Sequence, residues 1–167
     1  MNARLALVAT RAAVLLAVGT IAAAQNRATV VTVYEEIQRG RTIYHYTVTN
    51  NGDRPVTILT IGRDPDTGDW QLTAAPTGWT RDRGLLPSSA AAPAGWTTTV
   101  YTEEDSDKVA IEWRTASHRS IAPHQTVGGF RVVLPRPTDT YTSAGWETIN
   151  DLGGATRGTL ERRRQPK

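Results

Sequence analysis

Cysteine is absent from all 167 residues, and methionine and phenylalanine occur once each. Without thiols the chain has no disulfide staple, no thiolate nucleophile and no sulfur ligand for zinc. It must hold together by packing alone. Helical periodicity is missing as well: after the first two dozen residues, no stretch of about a dozen carries apolar side chains at the three-and-four spacing of a helix. Imidazole is scarce, with His45, His118 and His124 scattered, whereas a zinc site needs three or four converging ligands. No serine sits in a GxSxG elbow, and the neighbours Ser117 and His118 are adjacent only in sequence, which triad geometry does not require. These absences remove most nucleophilic and metal-dependent chemistry.

The N-terminus reads as an export leader covering residues 1–24. Arg4 supplies a positive start, the run from Ala12 to Ala24 is apolar, and Ala22, Ala23 and Ala24 offer small residues before Gln25. Arg11 interrupts the apolar stretch, which falls short of the about 20 residues a membrane span needs. The expectation is therefore a secreted or periplasmic protein with no stable membrane insertion once the leader is cleaved. A single arginine there, without an adjacent one, favours export of the unfolded chain over the twin-arginine route.

Removing the leader leaves 17 basic against 16 acidic side chains. Arg157, Arg162, Arg163, Arg164 and Lys167 against Glu161 give the last eleven residues a surplus of +4, so residues 25–156 carry −3. The basic character belongs to the ends of the chain. Residues 151–167 read as a solvated basic tail, because no periodic apolar residue accompanies the charges. Nothing in the body implies nucleic-acid binding.

Residues 25–150 show the period-two alternation of strands. Tyr44, Tyr46 and Val48 share one face while His45, Thr47 and Thr49 share the other, and Asn50, Asn51, Gly52 and Asp53 close that strand with turn chemistry. Pro55 opens a strand over Val56–Ile61 that is apolar on both faces, as a central strand is. Val109, Ile111 and Trp113 form an inward stripe opposite Ala110, Glu112 and Arg114. Phe130, Val132 and Leu134 form another, entered through Gly128 and Gly129, where a bulge or close backbone crossing is expected. Runs at Thr29–Ile37, Trp70–Thr73, Thr97–Thr102 and Tyr141–Trp146 bring the count to seven or eight strands. Residues 74–96, with Pro76, Pro87 and Pro93, read as a long loop from one sheet to the other. The predicted fold is an all-β two-sheet sandwich of immunoglobulin-like or fibronectin-like type, with a small barrel as the alternative.

Two acidic segments are candidate metal loops. Asp64, Asp66 and Asp69 alternate around Gly68 like the start of a calcium loop, but Ala75 stands where the closing glutamate belongs. Glu103, Glu104, Asp105 and Asp107 form a second acidic tip. A structural calcium ion is the one cofactor these residues imply. The stronger lead is aromatic: Trp79, Trp96 and Trp146 each follow a glycine near a loop boundary, where a flat indole can stack on a sugar ring. The competing expectation is that such indoles plug the open ends of the sandwich. Trp113 belongs to the core.

The segments YHYTVTNNGDRPVTILTIG (44–62) and SIAPHQTVGGFRVVLPRP (120–137) resemble strand pairs of exported bacterial immunoglobulin-like domains of uncharacterised function. The first is also similar to the middle strands of the proteinase-inhibitor domain of bacilli. The resemblance implies a sandwich and assigns no functional residue. The function expected is noncatalytic surface recognition of a glycan or an envelope protein. The alternatives are a hydrolase using carboxylates from the acidic loops, or a proteinase-inhibitor-like domain.

Overall fold

The computed structural model describes residues 28–73, 89–102, 108–134 and 140–165. The expected leader, Trp79 and the acidic tip Glu103, Glu104, Asp105 and Asp107 lie outside the described residues. Strands β1 (Thr29–Gln38) and β2 (Arg41–Asn50) form a hairpin and pair over their full length. β3 (Val56–Ile61) crosses to the second sheet and is followed by β4 (Leu72–Thr73), β5 (Ala90–Ala91), β6 (Trp96–Thr102), β7 (Lys108–Thr115) and β8 (Thr126–Leu134). A one-turn helix α1 (Thr140–Ser143) leads into β9 (Gly145–Asn150), β10 (Ala155–Thr159) and β11 (Glu161–Arg162). No helix among the described residues is long and apolar enough to cross a membrane.

The strands form two sheets, β11-β1-β2-β8-β5 and β10-β9-β3-β7-β4, with β6 paired to β7 in the second. The first hairpin shares its sheet with β8, while β3 lies between β9 and β7. This is the strand exchange of the immunoglobulin-like sandwich, in which the second strand pairs with the fifth and the third with the sixth. The predicted fold class is what the chain adopts.

Alternation explains the core. Val31, Val33, Tyr44, Tyr46, Val48, Phe130, Val132 and Leu134 face inward from the first sheet, and Leu59, Ile61, Val109, Ile111, Trp113 and Trp146 from the second. Trp113 bridges the layers, 5.8 Å from the Tyr46 ring and 5.6 Å from Phe130. Each such side chain contributes on the order of 1.5–3 kcal/mol by leaving water. A register shift between Val56 and Ile58 explains the two-faced apolar pattern of β3: the irregularity lets Val56 join Leu59 and Ile61 in the core. The bulge expected at Gly128–Gly129 is present as a register shift opposite Tyr46 and Val48, with φ of +94° at Gly129.

Three expectations need correction. The strand expected over Tyr141–Trp146 is α1 followed by β9. The loop expected over 74–96, of which residues 74–88 lie outside the described residues, joins two strands of the second sheet, β4 and β6, and contains β5, which pairs with β8 in the first sheet. Residues 151–165 are not a solvated tail: β10 pairs with β9 along its length, and β11 pairs parallel to β1. Leu160 between them packs on the core. Charge density concealed these strands because an edge strand needs few apolar residues. With β5, β10 and β11 added to those expected, the described residues contain eleven strands.

Candidate functional site

Two glutamates stand on the outer face of the second sheet with little exposure, Glu112 at 7% and Glu147 at 6%. Strand register explains why they are neighbours. Thr60 at the centre of β3 is opposite Glu112 of β7 on one side and Glu147 of β9 on the other. Two strand spacings put the glutamate backbones roughly 9.5 Å apart with Thr60 between them. Arg157 of β10 extends the row, opposite Glu147.

A ring of side chains closes around this row. Arg157 Nε donates to Glu147 at 2.6 Å, and Arg63 Nε lies 3.8 Å from the other carboxylate oxygen. The Arg63 guanidinium sits 5.9 Å from the centre of the Trp70 ring, a cation–π distance. Trp70 packs against Tyr101 at 5.7 Å between ring centres, and the Tyr101 hydroxyl lies 3.4 Å from a Glu112 oxygen. Arg114 donates to that same oxygen through Nε at 3.1 Å. Ala110, opposite Tyr101 and fully buried, keeps this part of the face low.

Two buried polar atoms of these residues have no hydrogen-bond partner among the described residues: Thr60 Oγ1 and Arg63 Nε. Arg63 Nε still has the Glu147 charge beside it, whereas a buried hydroxyl such as that of Thr60 costs about 1–3 kcal/mol unless a partner outside the described residues satisfies it.

The loop between β3 and β4 positions the arginine and the indole. Arg63 and Trp70 form an antiparallel bridge at its base. The backbone amides of Gly62 and Arg63 donate to the Gly145 carbonyl at 2.9 and 3.3 Å. Gly145 must lack a side chain, because a Cβ there would collide with the Arg63 carbonyl oxygen. Gly68, at φ +79°, lets the loop lie against the Arg157 guanidinium, where a Cβ would come within 2.7 Å.

The candidate calcium residues Asp64, Asp66 and Asp69 belong to this loop. Asp64 accepts hydrogen bonds from the amides of Thr67 and Asp66, both at 2.9 Å, which hold its carboxyl below the usual range. Asp69 accepts from the Thr67 hydroxyl at 2.9 Å. Asp66 is exposed. Among the described residues no three acidic or imidazole side chains come together as metal ligands.

Of the tryptophans singled out by their preceding glycine, Trp146 is fully buried and donates its indole N–H to the Thr159 carbonyl at 2.9 Å. It offers no face to a ligand. Trp96 is half-buried, edge-on to Phe130 at 5.0 Å, and plugs the gap between the sheets. Trp113 is in the core as expected. The half-exposed indole on a polar face is Trp70, which the glycine pattern passes over. The available signal was an acid on the outward face of each of two apolar strands, Glu112 in VAIEW and Glu147 in GWETI.

No family model matches the chain, and no curated protein does. Among solved structures, it is similar to an uncharacterised protein from Nocardia farcinica described as having an immunoglobulin-like fold. That likeness has a TM-score of 0.49 at 18% identity, over 76% of this chain and 81% of the other. It is also similar to the GH20 exo-β-N-acetylglucosaminidase of Vibrio harveyi, with a TM-score of 0.44 and 14% identity over 81% of this chain. The matched part is 18% of that enzyme. Neither likeness assigns a role to any residue here.

Proposed function

We propose that this protein is an exported, noncatalytic recognition module that binds a saccharide on the outer face of its second sheet. The observation that carries the reading is the ring of Arg63, Trp70, Tyr101, Glu112 and Glu147 around Thr60, whose hydroxyl has no partner among the described residues. Sugars present an apolar C–H face and a rim of hydroxyls. Trp70 and Tyr101 supply surface for the first, and carboxylates and guanidinium groups supply fixed acceptors and donors for the second. Tyr101, Glu112 and Glu147 stand on strands, and Arg63 and Trp70 are tied by the bridge at the base of their loop, so little ordering accompanies binding.

The same geometry favours binding over hydrolysis. Glu112 and Glu147 are each engaged by a guanidinium group, at 3.1 and 2.6 Å. A glycosidase needs one carboxyl free to deliver a proton and another free to meet water or the anomeric carbon. Carboxylates tied to arginines serve as fixed acceptors.

A glycan array probed with the purified protein tests the reading. Defined oligosaccharides are retained, Trp70→Ala weakens them by about tenfold or more through the lost aromatic surface, and Trp96→Phe leaves them unchanged. An empty array together with a discrete crosslinked partner would move the reading to an envelope protein.

A further inference from the structure

The β1–β2 hairpin tip belongs to the first sheet and has a character of its own. Ile37 is 77% exposed; among the described residues, the other large hydrophobic side chain left so open is Leu152. The turn beyond it places Arg39 at φ 51° and Gly40 at φ 75°, the two consecutive left-handed residues of a tight hairpin. Asparagine or glycine usually occupies the first of those positions, and a long cation there is conformationally unfavourable. Arg41, exposed, follows.

β11 brings more positive charge to the same edge. The Arg163 amide donates to the Val33 carbonyl at 2.7 Å, and Arg162 and Arg163 line a cleft of about 220 Å³ with Val33, Tyr34, Glu35 and Thr142. Four residues separate Val33 from Ile37, roughly 13 Å along a strand. Of the nearby acids, Glu35 is engaged with Arg162 at 3.2 Å and Glu36 with His45 at 2.8 Å, while Glu161 of β11 offsets one of the positive charges. Arg39, Arg41, Arg163 and Arg164 have no acidic partner among the described residues. Leu152, at the other end of the sandwich, lies beside an Arg54–Asp151 pair and has no such surplus.

We infer that this tip is a docking surface for an anionic lipid bilayer. The arginines meet the headgroups and Ile37 enters the boundary between headgroups and acyl chains. A soluble polyanion would use the arginines but gain nothing from an exposed isoleucine beside Arg39 and Arg41. The surface is independent of the saccharide ring, so either can fail without the other.

Sedimentation with vesicles tests it. The protein is expected to sediment with vesicles of phosphatidylglycerol and phosphatidylcholine in equal parts, to stay in solution with phosphatidylcholine alone, and to be released by salt. Arg39→Gly combined with Arg41→Gln weakens binding by about tenfold, and Ile37→Ser weakens it severalfold. Arg39→Gly suits the left-handed turn better than arginine does, so loss of binding in that variant is not loss of fold. Trp70→Ala leaves vesicle binding intact. Equal sedimentation with both vesicle types, or none with either, overturns the inference. So does binding that inorganic polyphosphate abolishes while Ile37→Ser has no effect.

Discussion

Thr60 and Thr42 each bury a hydroxyl with no partner among the described residues, but Thr60 alone stands between the two glutamates. Valine has nearly the same shape without the hydroxyl, so each Thr→Val change removes an orphan and is expected to stabilise the fold by about 1 kcal/mol in denaturant unfolding. The two part company in binding: Thr60→Val weakens saccharide retention and Thr42→Val does not. A gain in stability paired with a loss of binding marks a hydroxyl kept for a ligand. Asp64 gives a pH-dependent prediction. Its folded carboxyl titrates below the unfolded one because the Thr67 and Asp66 amides bind the charged form. Its contribution is therefore complete above the unfolded value and lost as pH falls through the folded one. Trp70 fluorescence, reporting on the loop that Asp64 closes, is expected to change on acidification in that range, and Asp64→Asn removes the transition. At this scale the sequence was legible in part. Glu112 could be placed on an outward face by alternation, but that Glu147 meets it across Thr60 depends on which strands pair. For Trp146 the Gly-Trp pattern misled because Gly145 answers to the Arg63 carbonyl, not to a loop mouth.

Among the elements, the C-terminal pair β10 and β11 changes the picture most. β10 supplies Arg157 to the ring and the Thr159 carbonyl to Trp146, and β11 covers part of the β1 edge. Unpaired edges invite association with other chains, and a short covering strand blunts that tendency. Deleting residues 155–167 uncovers Leu160's contacts and leaves the Trp146 indole without its acceptor. The expected loss is about 2–4 kcal/mol of unfolding free energy, with increased association by light scattering. A removable tail would change neither. Strands β1, β2, β3, β6, β7 and β8 were read in advance, most clearly β2, β3, β7 and β8, whose inward stripes carry aromatic or branched residues. β5, β10 and β11 escaped because two to five residues of small or polar character form strands only once a neighbour offers hydrogen bonds.

At the scale of the whole molecule, a thiol-free chain folds as two sheets around an aromatic interior and leaves two differently equipped surfaces. One is the arginine-rich hairpin tip. The other is the outer face of the second sheet, where charged residues that packing does not require sit almost out of water. The central claim is that this face receives a saccharide. Amide and indole chemical shifts, followed while the protein is titrated with an oligosaccharide retained on the array, test it most directly. Shifts are expected at the Trp70 indole and at the backbone of Thr60, Glu112 and Glu147, with Trp113 and Trp146 unmoved. Shifts centred on Trp96 or on the β1–β2 tip, or no saccharide that moves any resonance, would contradict it.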